Sequence, residues 1–515
     1  MQGHKFAFLA IFSIIILCGL IARLAIIEVR PVHHDEGVNG YFVAQILTFD
    51  KIGYDQCVAK GEFWLLCAIK NNSTWRYDYE NYHGPAPFYM MALSVLIFGE
   101  NIFAMRLVPA LLGAFIGLFV LLFRKNLGNI GSIVACFFLL FSPALLYYSL
   151  DAIHEYFFAF FAFGGLCLLL KFAESFRERY LYAGVAFLAL TFTTKEASFL
   201  TAPAIAAIAF FVFLANACEK KIHLNPKLYN KIVLMTIISI IIFASIFVTL
   251  FTSLFANMRG AIDAFKSPFV WSERMTGQSG HEKPEDYYFT LIIFSEIAMF
   301  FLAIVGFIIA FYRQNNTMLA FAAFFIFFIV GASVPKYKVP WGLITALPPL
   351  AILAGYSVEE IYKTLPKIKA VKIAFIVLIC AVVLYTLYQS LLLSTVESES
   401  EENKLAYVQT KFSTTQALKK LEAIGRNDLS IAVISSQSTW PLPWLLKRYN
   451  TSYYDGETLS SLEISFYDFV LVEKIYDYKI SVSEKERFCQ DEISLRPGME
   501  MYAYFKKDVF KGACK

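Results

Sequence analysis

The chain has 515 residues, of which 58% are hydrophobic and 17% charged, and its mean hydropathy is +0.57. Soluble domains carry about 25% charged residues, so this composition excludes an ordinary soluble protein and indicates a polytopic membrane one. The net charge of +4 gives no basis for a nucleic-acid partner.

The first element is "FAFLAIFSIIILCGLIARLAII" (6–27), after Lys5, apolar for roughly the 20 residues that a bilayer crossing needs. It lacks the short core and small-residue cleavage site of a signal peptide, so it reads as an uncleaved helix. Directly after it stand His33, His34, Asp35 and Glu36, in "HHDEGVNGYF", where a second helix is expected to start. A stretch at 84–99, "GPAPFYMMALSVLIFG", is apolar but short and interrupted by proline. It is expected to lie along the membrane interface.

Further spans are predicted near 105–123, 130–149, 152–170, 181–195, 198–217, 232–255, 287–311, 317–334, 341–357 and 371–394. With the first, they make about eleven. Alternate loops carry Arg124 and Lys125; Lys171, Arg177 and Arg179; Lys220, Lys221, Lys227 and Lys231; Arg313; and Lys363, Lys367, Lys369 and Lys372. Basic loops mark the cytoplasmic face, which predicts an inside N-terminus and an outside C-terminus. The expected organisation is a transmembrane domain over 1–394, with a long first external loop (28–104), and an extracytoplasmic domain over 395–515. In this tail an acidic linker leads into an amphipathic helix, and "LSIAVISS" and "FYDFVLVEK" read as strands, so a small α/β domain is expected. Cys57, Cys67, Cys489 and Cys514 all fall outside by this topology. Their even number on the oxidising side makes Cys57–Cys67 and Cys489–Cys514 candidate disulfides.

Ionisable groups near hydrocarbon usually mark a functional cavity. Here they sit at the outer ends of different spans: Asp35 and Glu36; Asp78, Glu80, His83 and Arg106; Asp151, His154 and Glu155; Lys195 and Glu196; residues 280–288; and Lys336 and Lys338. Acids and bases from distant sequence are thus expected at one depth on one face. A carboxylate there suits a general base for a hydroxyl. Cations there suit a phosphate that accumulates charge as it leaves. A sugar linked to a membrane lipid through phosphate meets both needs.

The segments "HHDEGVNGYF", "YHGPAPFYMMAL", "RLVPALLG", "FSPALLYYSLDAIHEYF" and "LTFTTKEASFL" follow one another over roughly residues 1–210. In this order and spacing they resemble GT-C class membrane glycosyltransferases, in the branch of the protein O-mannosyltransferases and lipid A aminoarabinose transferases. A prokaryotic, glycosylation-associated subgroup is closer still, through "YDYENYHGP", "HEKPEDYY" and "WPLPWLLKRY".

The resemblance implies a polytopic α-helical GT-C fold. It also implies an inverting transferase that moves a sugar from a polyprenyl-phosphate donor to a hydroxyl acceptor (protein, lipid or glycan) at the outer face of the cell membrane. Asp35 matches the catalytic base and Glu36 its partner. His83 stands where many relatives carry a lysine that touches the lipid phosphate, and Arg106, Lys195, Lys336 or Lys338 are candidates to compensate. Glu155, beside His154, matches an acid important for activity.

Asp35 and Glu36 also suit a helix start, where the dipole favours acids. His33 and His34 with these acids have the ligand types of a divalent-metal site, but adjacent residues rarely share one ion, and no metal or other cofactor is expected to be required. Trp440 and Trp444 are assigned to packing rather than to a sugar platform. A lipid-linked-sugar flippase or transporter needs polar residues at full membrane depth, and a non-catalytic component of a glycan assembly complex would not need the Asp35–Glu36 pair.

Overall fold

The computed structural model describes residues 2–220, 226–276, 280–458 and 463–512; Lys221 and Cys514 lie outside the described residues. The chain folds as two compact units, one formed by 1–27 and 43–394, the other by 28–42 and 395–515.

The first unit is a multi-pass helical bundle, and each of the eleven predicted spans is helical in it. Among the described residues, seven helices are long and apolar enough to cross a membrane, or eight if one bent pair counts as a span. Three features account for the difference from eleven. Ile102–Phe141 counts once, although it is broken at Gly128 (φ 69°). Glu178–Phe192 has only 15 residues. Leu347–Thr364 carries Glu359, Glu360 and Lys363 near its end.

The bent pair departs from the expected single span at 287–311. Tyr287–Ser295 and Ile297–Tyr312 meet at 105°. At the break stands Glu296, a buried acid whose Oε1 accepts the Ala144 N–H (2.9 Å) at the start of the short helix Pro143–Tyr148. The Phe294 carbonyl beside the break accepts Gln389 Nε2 (2.8 Å).

His154–Ser175 buries 17 of its 22 residues and forms the centre of this unit. Pro226–Phe251, in contrast, buries only Phe247 and Phe251, as an apolar helix facing lipid should. In lipid the bundle gains little from burying apolar surface, so close packing must hold it together. At one crossing of Arg124–Phe141 with Leu347–Thr364, a Cβ on Gly131 would lie 2.5 Å from the Gly355 carbonyl oxygen, and one on Gly355 would lie 2.3 Å from that of Gly131. Only glycine permits this approach. Glu359 then accepts the Ile130 and Gly131 N–H groups (3.0 and 3.2 Å), which the break at Gly128 leaves without helical partners.

The 84–99 stretch forms the helix Ala86–Phe98, roughly 20 Å long and too short to cross about 30 Å of hydrocarbon. In the 28–104 region, Lys51–Ala59 and Trp64–Lys70 are joined by a Cys57–Cys67 disulfide.

The second unit is built on a sheet of β1 (Ser430–Ile434), β2 (Asn450–Tyr454), β3 (Phe469–Glu473), β4 (Phe488–Arg496) and β5 (Met499–Lys506), in the order β2-β1-β3-β5-β4. β1 is parallel to β2 and β3, while β5 is antiparallel to β3 and β4. Alternate residues serve opposite faces. Ile431, Val433, Phe469 and Leu471 meet Leu418 and Leu421 of the helix Phe412–Glu422, and Ala432, Ile434, Val470 and Val472 pack on the other side. The acidic linker is more than a tether, since Glu399 Oε2 accepts the Phe412 N–H at 2.5 Å and so caps that helix. Residues 28–42, expected as part of the external loop, belong to this unit.

Candidate functional site

The candidate residues divide between the two units. In the first, Gly84 brings the chain against the joint after Glu178–Phe192. A Cβ there would lie 2.4 Å from the Thr193 carbonyl oxygen, and the same oxygen accepts the Ala86 N–H at 2.8 Å. This backbone contact puts His83 beside Glu196, with Nδ1 and Oε2 3.0 Å apart. The opposite ring face of the site is Trp271, stacked on His83 at 4.1 Å between centroids and 23° between planes. The His154 ring lies 5.1 Å from that of His83 and is edge-on to Phe88. Next to Glu196 in the chain, Lys195 donates to Glu155 Oε1 at 2.7 Å.

The joint is largely buried, which strengthens its charges. Burial alone would lower the Lys195 ammonium, but the Glu155 and Glu196 carboxylates outweigh it and hold Lys195 above the ordinary lysine value. For Glu196, burial pushes upward, but His83 and then Lys195 leave it below the ordinary carboxylate range. The result is a group of two acid–base pairs, His83–Glu196 and Lys195–Glu155, with an indole face beside it.

The other predicted cations are placed differently. Arg106 is fully buried and donates through Nη1 to the Ile27 carbonyl (2.8 Å), just past the end of the first helix. Lys338 is buried and gives Nζ to the carbonyls of Pro335 (2.6 Å) and Lys283 (3.3 Å). These bonds tie "VPKYKVPW" to "GHEKPEDYY", where Glu282 and Tyr337 form an antiparallel bridge. Lys336 is exposed. The structure therefore brings together His83, His154, Glu155 and Lys195, and commits Arg106 and Lys338 to backbone carbonyls. Glu196 stood with Lys195 among the ionisable groups read from the sequence, but Trp271 escaped, because "SPFVWSER" carries no signal of its own.

In the second unit, Asp35 and Glu36 open the helix His34–Ile46. His33 acts as its cap: its carbonyl accepts the Gly37 N–H (3.1 Å), and its Nδ1 accepts the Asp35 N–H (3.1 Å). Glu36 Oε2 reaches back to the His33 N–H at 2.8 Å, as the acid of a capping box does. His33 Nε2 donates to the Tyr407 carbonyl at 2.9 Å. Both ring nitrogens are thus engaged, and neither is left to offer a cation. Glu36 is fully buried. Asp35 differs, because its side chain is 45% exposed and its carboxylate has no hydrogen-bond partner among the described residues. His34 Nδ1 lies 3.4 Å from Arg496 Nη1.

Comparison with known proteins gives two findings. Residues 82–260 match the family described as dolichyl-phosphate-mannose-protein mannosyltransferase. Two structures of ArnT from Cupriavidus metallidurans are similar over nearly the whole chain. The undecaprenyl phosphate complex has a TM-score of 0.56 at 14% identity and covers 98% of both chains. The apo state has a TM-score of 0.58 at 13% identity and covers 99% of both. No curated protein matches in sequence. The fold is that of these structures, a bundle of membrane helices with a small C-terminal sheet domain.

Proposed function

We propose that this GT-C fold is an inverting glycosyltransferase that moves a hexosyl or pentosyl group from a polyprenyl-phosphate donor to a hydroxyl acceptor. It works at the outer face of the cell membrane. The observation that carries this reading is Asp35, an acid at a firmly capped helix start whose own carboxylate stays half exposed, with no hydrogen bond among the described residues and His33 Nδ1 at 4.0 Å. Every other group of "HHDE" has a structural task or partner; Asp35 has chemistry to spare.

Asp35 takes the proton of the acceptor hydroxyl as its oxygen forms a bond to the anomeric carbon. The bond from that carbon to the phosphate oxygen breaks on the opposite side, its electron pair leaves with the lipid phosphate, and the configuration inverts. A cation beside the departing phosphate stabilises its charge, and the family resemblance proposes Lys195 and the His83 position for that role. A phosphate leaves readily, so the reading needs no metal. The presence of undecaprenyl phosphate in the similar ArnT structure supports a lipid-phosphate donor here.

The test is sugar transfer from undecaprenyl-phosphate-linked donor by the purified full chain, with and without chelator. Asp35→Asn should keep its fold and lose transfer by about 100-fold or more, and EDTA should leave the wild-type rate unchanged. Transfer retained by Asp35→Asn would refute the mechanism.

A transport reading draws on one observation, the helix broken at Glu296, since broken helices are frequent in transporters. Glu296, however, is committed to the Ala144 N–H. Movement of a lipid-linked sugar across proteoliposomes without any transfer would favour that reading instead.

A further inference from the structure

In the second unit the chain runs from β1 outward to β2 and then returns to β3 on the opposite side of β1. The point between β1 and β3 is therefore a topological switch, and in open α/β sheets ligands bind beyond the carboxyl ends of the strands at such points. Two strand ends meet there, Ile434 of β1 and Glu473 of β3.

The loop that leaves β1 is built with unusual care. Glu473 is buried, and both its oxygens are used to hold the loop: Oε2 accepts Ser435 Oγ at 2.7 Å and Oε1 accepts Gln437 Nε2 at 2.9 Å. Ser435 Oγ in turn accepts the Gln437 N–H at 2.9 Å, and Tyr476 Oη donates to Ser436 Oγ at 2.7 Å. A buried carboxylate spent wholly on shaping an exposed loop fixes the loop before any ligand arrives.

The same loop is seated on the helix that carries Asp35. A Cβ on Gly37 would lie 2.5 Å from Pro441 Cβ, and one on Gly40 would lie 2.5 Å from the Trp444 ring. These two glycines, on one face of His34–Ile46, let the loop approach within backbone contact. Trp444 is buried by this docking and serves packing. Trp440 is only half-buried and stands edge-on to the exposed Tyr41, 5.8 Å away. The two tryptophans of "WPLPW" thus have different uses.

The exposed side chains of the loop are Ser436, Gln437 and Ser438, followed by the half-buried Thr439 and Trp440. None is charged, which disfavours a phosphate or an acidic ligand. Uncharged hydroxyl and amide groups beside aromatic rings match a polyhydroxylated neutral ring, whose C–H face lies on an indole while its hydroxyls pair at the rim. An extended peptide would instead seek an open strand edge, and this loop has none. We propose that the Gln437–Trp440 loop, with Tyr41, is the subsite that binds a carbohydrate acceptor next to Asp35. This rests on the transferase reading above and narrows its acceptor.

The full chain in detergent, titrated with maltose, chitobiose and mannobiose and separately with a Ser/Thr-rich peptide, tests this by saturation-transfer NMR. Undecaprenyl phosphate binding is measured on the same samples. Saturation should reach the ring protons of at least one disaccharide. It should weaken about 2- to 10-fold in Trp440→Ala, fall in Gln437→Ala, and recover in Trp440→Phe, with lipid-phosphate binding unchanged in all three. No disaccharide signal in the wild type, a signal indifferent to the variants, or stronger saturation of the peptide would overturn the proposal. Loss of undecaprenyl phosphate binding by the wild type would count against the donor reading alone.

Discussion

Asp35 and Glu36 are adjacent in sequence and opposite in circumstance. Glu36 satisfies the backbone N–H of His33 from a fully buried position, while Asp35 keeps its carboxylate open. The two acids are therefore separable by experiment. Glu36→Ala should leave a buried donor unpaired and destabilise the protein by about 1–3 kcal/mol. Glu36→Gln retains an acceptor oxygen and should restore most of that, with transfer largely preserved. Thermal unfolding of the detergent-solubilised chain measures the first effect. Loss of transfer by a stable Glu36→Gln variant would show that Glu36 has a direct chemical role. At this scale the sequence was legible in part. The acid pair stood out, but its division of labour depends on where each side chain points from the first helical turn. For His33, the sequence could not distinguish a ligand from a cap, because either use needs the same two nitrogens.

Among elements, glycine positions decide how closely helices meet. Gly355→Leu would drive a branched side chain into the backbone of Arg124–Phe141, with a cost of about 1–3 kcal/mol or more. Gly331→Leu, in the helix Asn316–Ser333, meets nothing within 4 Å and should be tolerated. Comparing the melting temperatures of these two variants checks the crossing; equal melting temperatures would mean that the contact is not rigid. The helices themselves were readable from apolar runs, and the strands β1 and β3 from their β-branched residues. The β4–β5 hairpin was less visible. Its strands mix charges such as Asp491, Glu492 and Glu500 into an alternating pattern, and its clearest mark is the Pro497–Gly498 turn, with Gly498 at φ 79°. The bend at Glu296 was hidden altogether, because one acid in a long apolar run does not reveal that Ala144 waits to be capped.

For the whole molecule, the orientation proposed from the basic loops puts Lys125 on the cytoplasmic side. An impermeant amine reagent applied to intact cells should therefore leave Lys125 unmodified and label it once the membrane is opened. Labelling from outside would invert the proposed orientation, and with it the outer-face location of the chemistry. Length, hydropathy and the distribution of charge were enough for the sequence to determine a polytopic bundle followed by a small sheet domain, since these properties depend on local composition and periodicity. Its motifs also pointed to Asp35, His83, Glu155 and Lys195. Only the tertiary structure decided that His83 pairs with Glu196 and stacks on Trp271, that Arg106 and Lys338 hold backbone carbonyls, and that residues 28–42 fold with the C-terminal sheet. The reason is common to all three. Each depends on a partner far away in the chain, and a side chain's use is set by the groups that folding brings within hydrogen-bond or ring-contact distance.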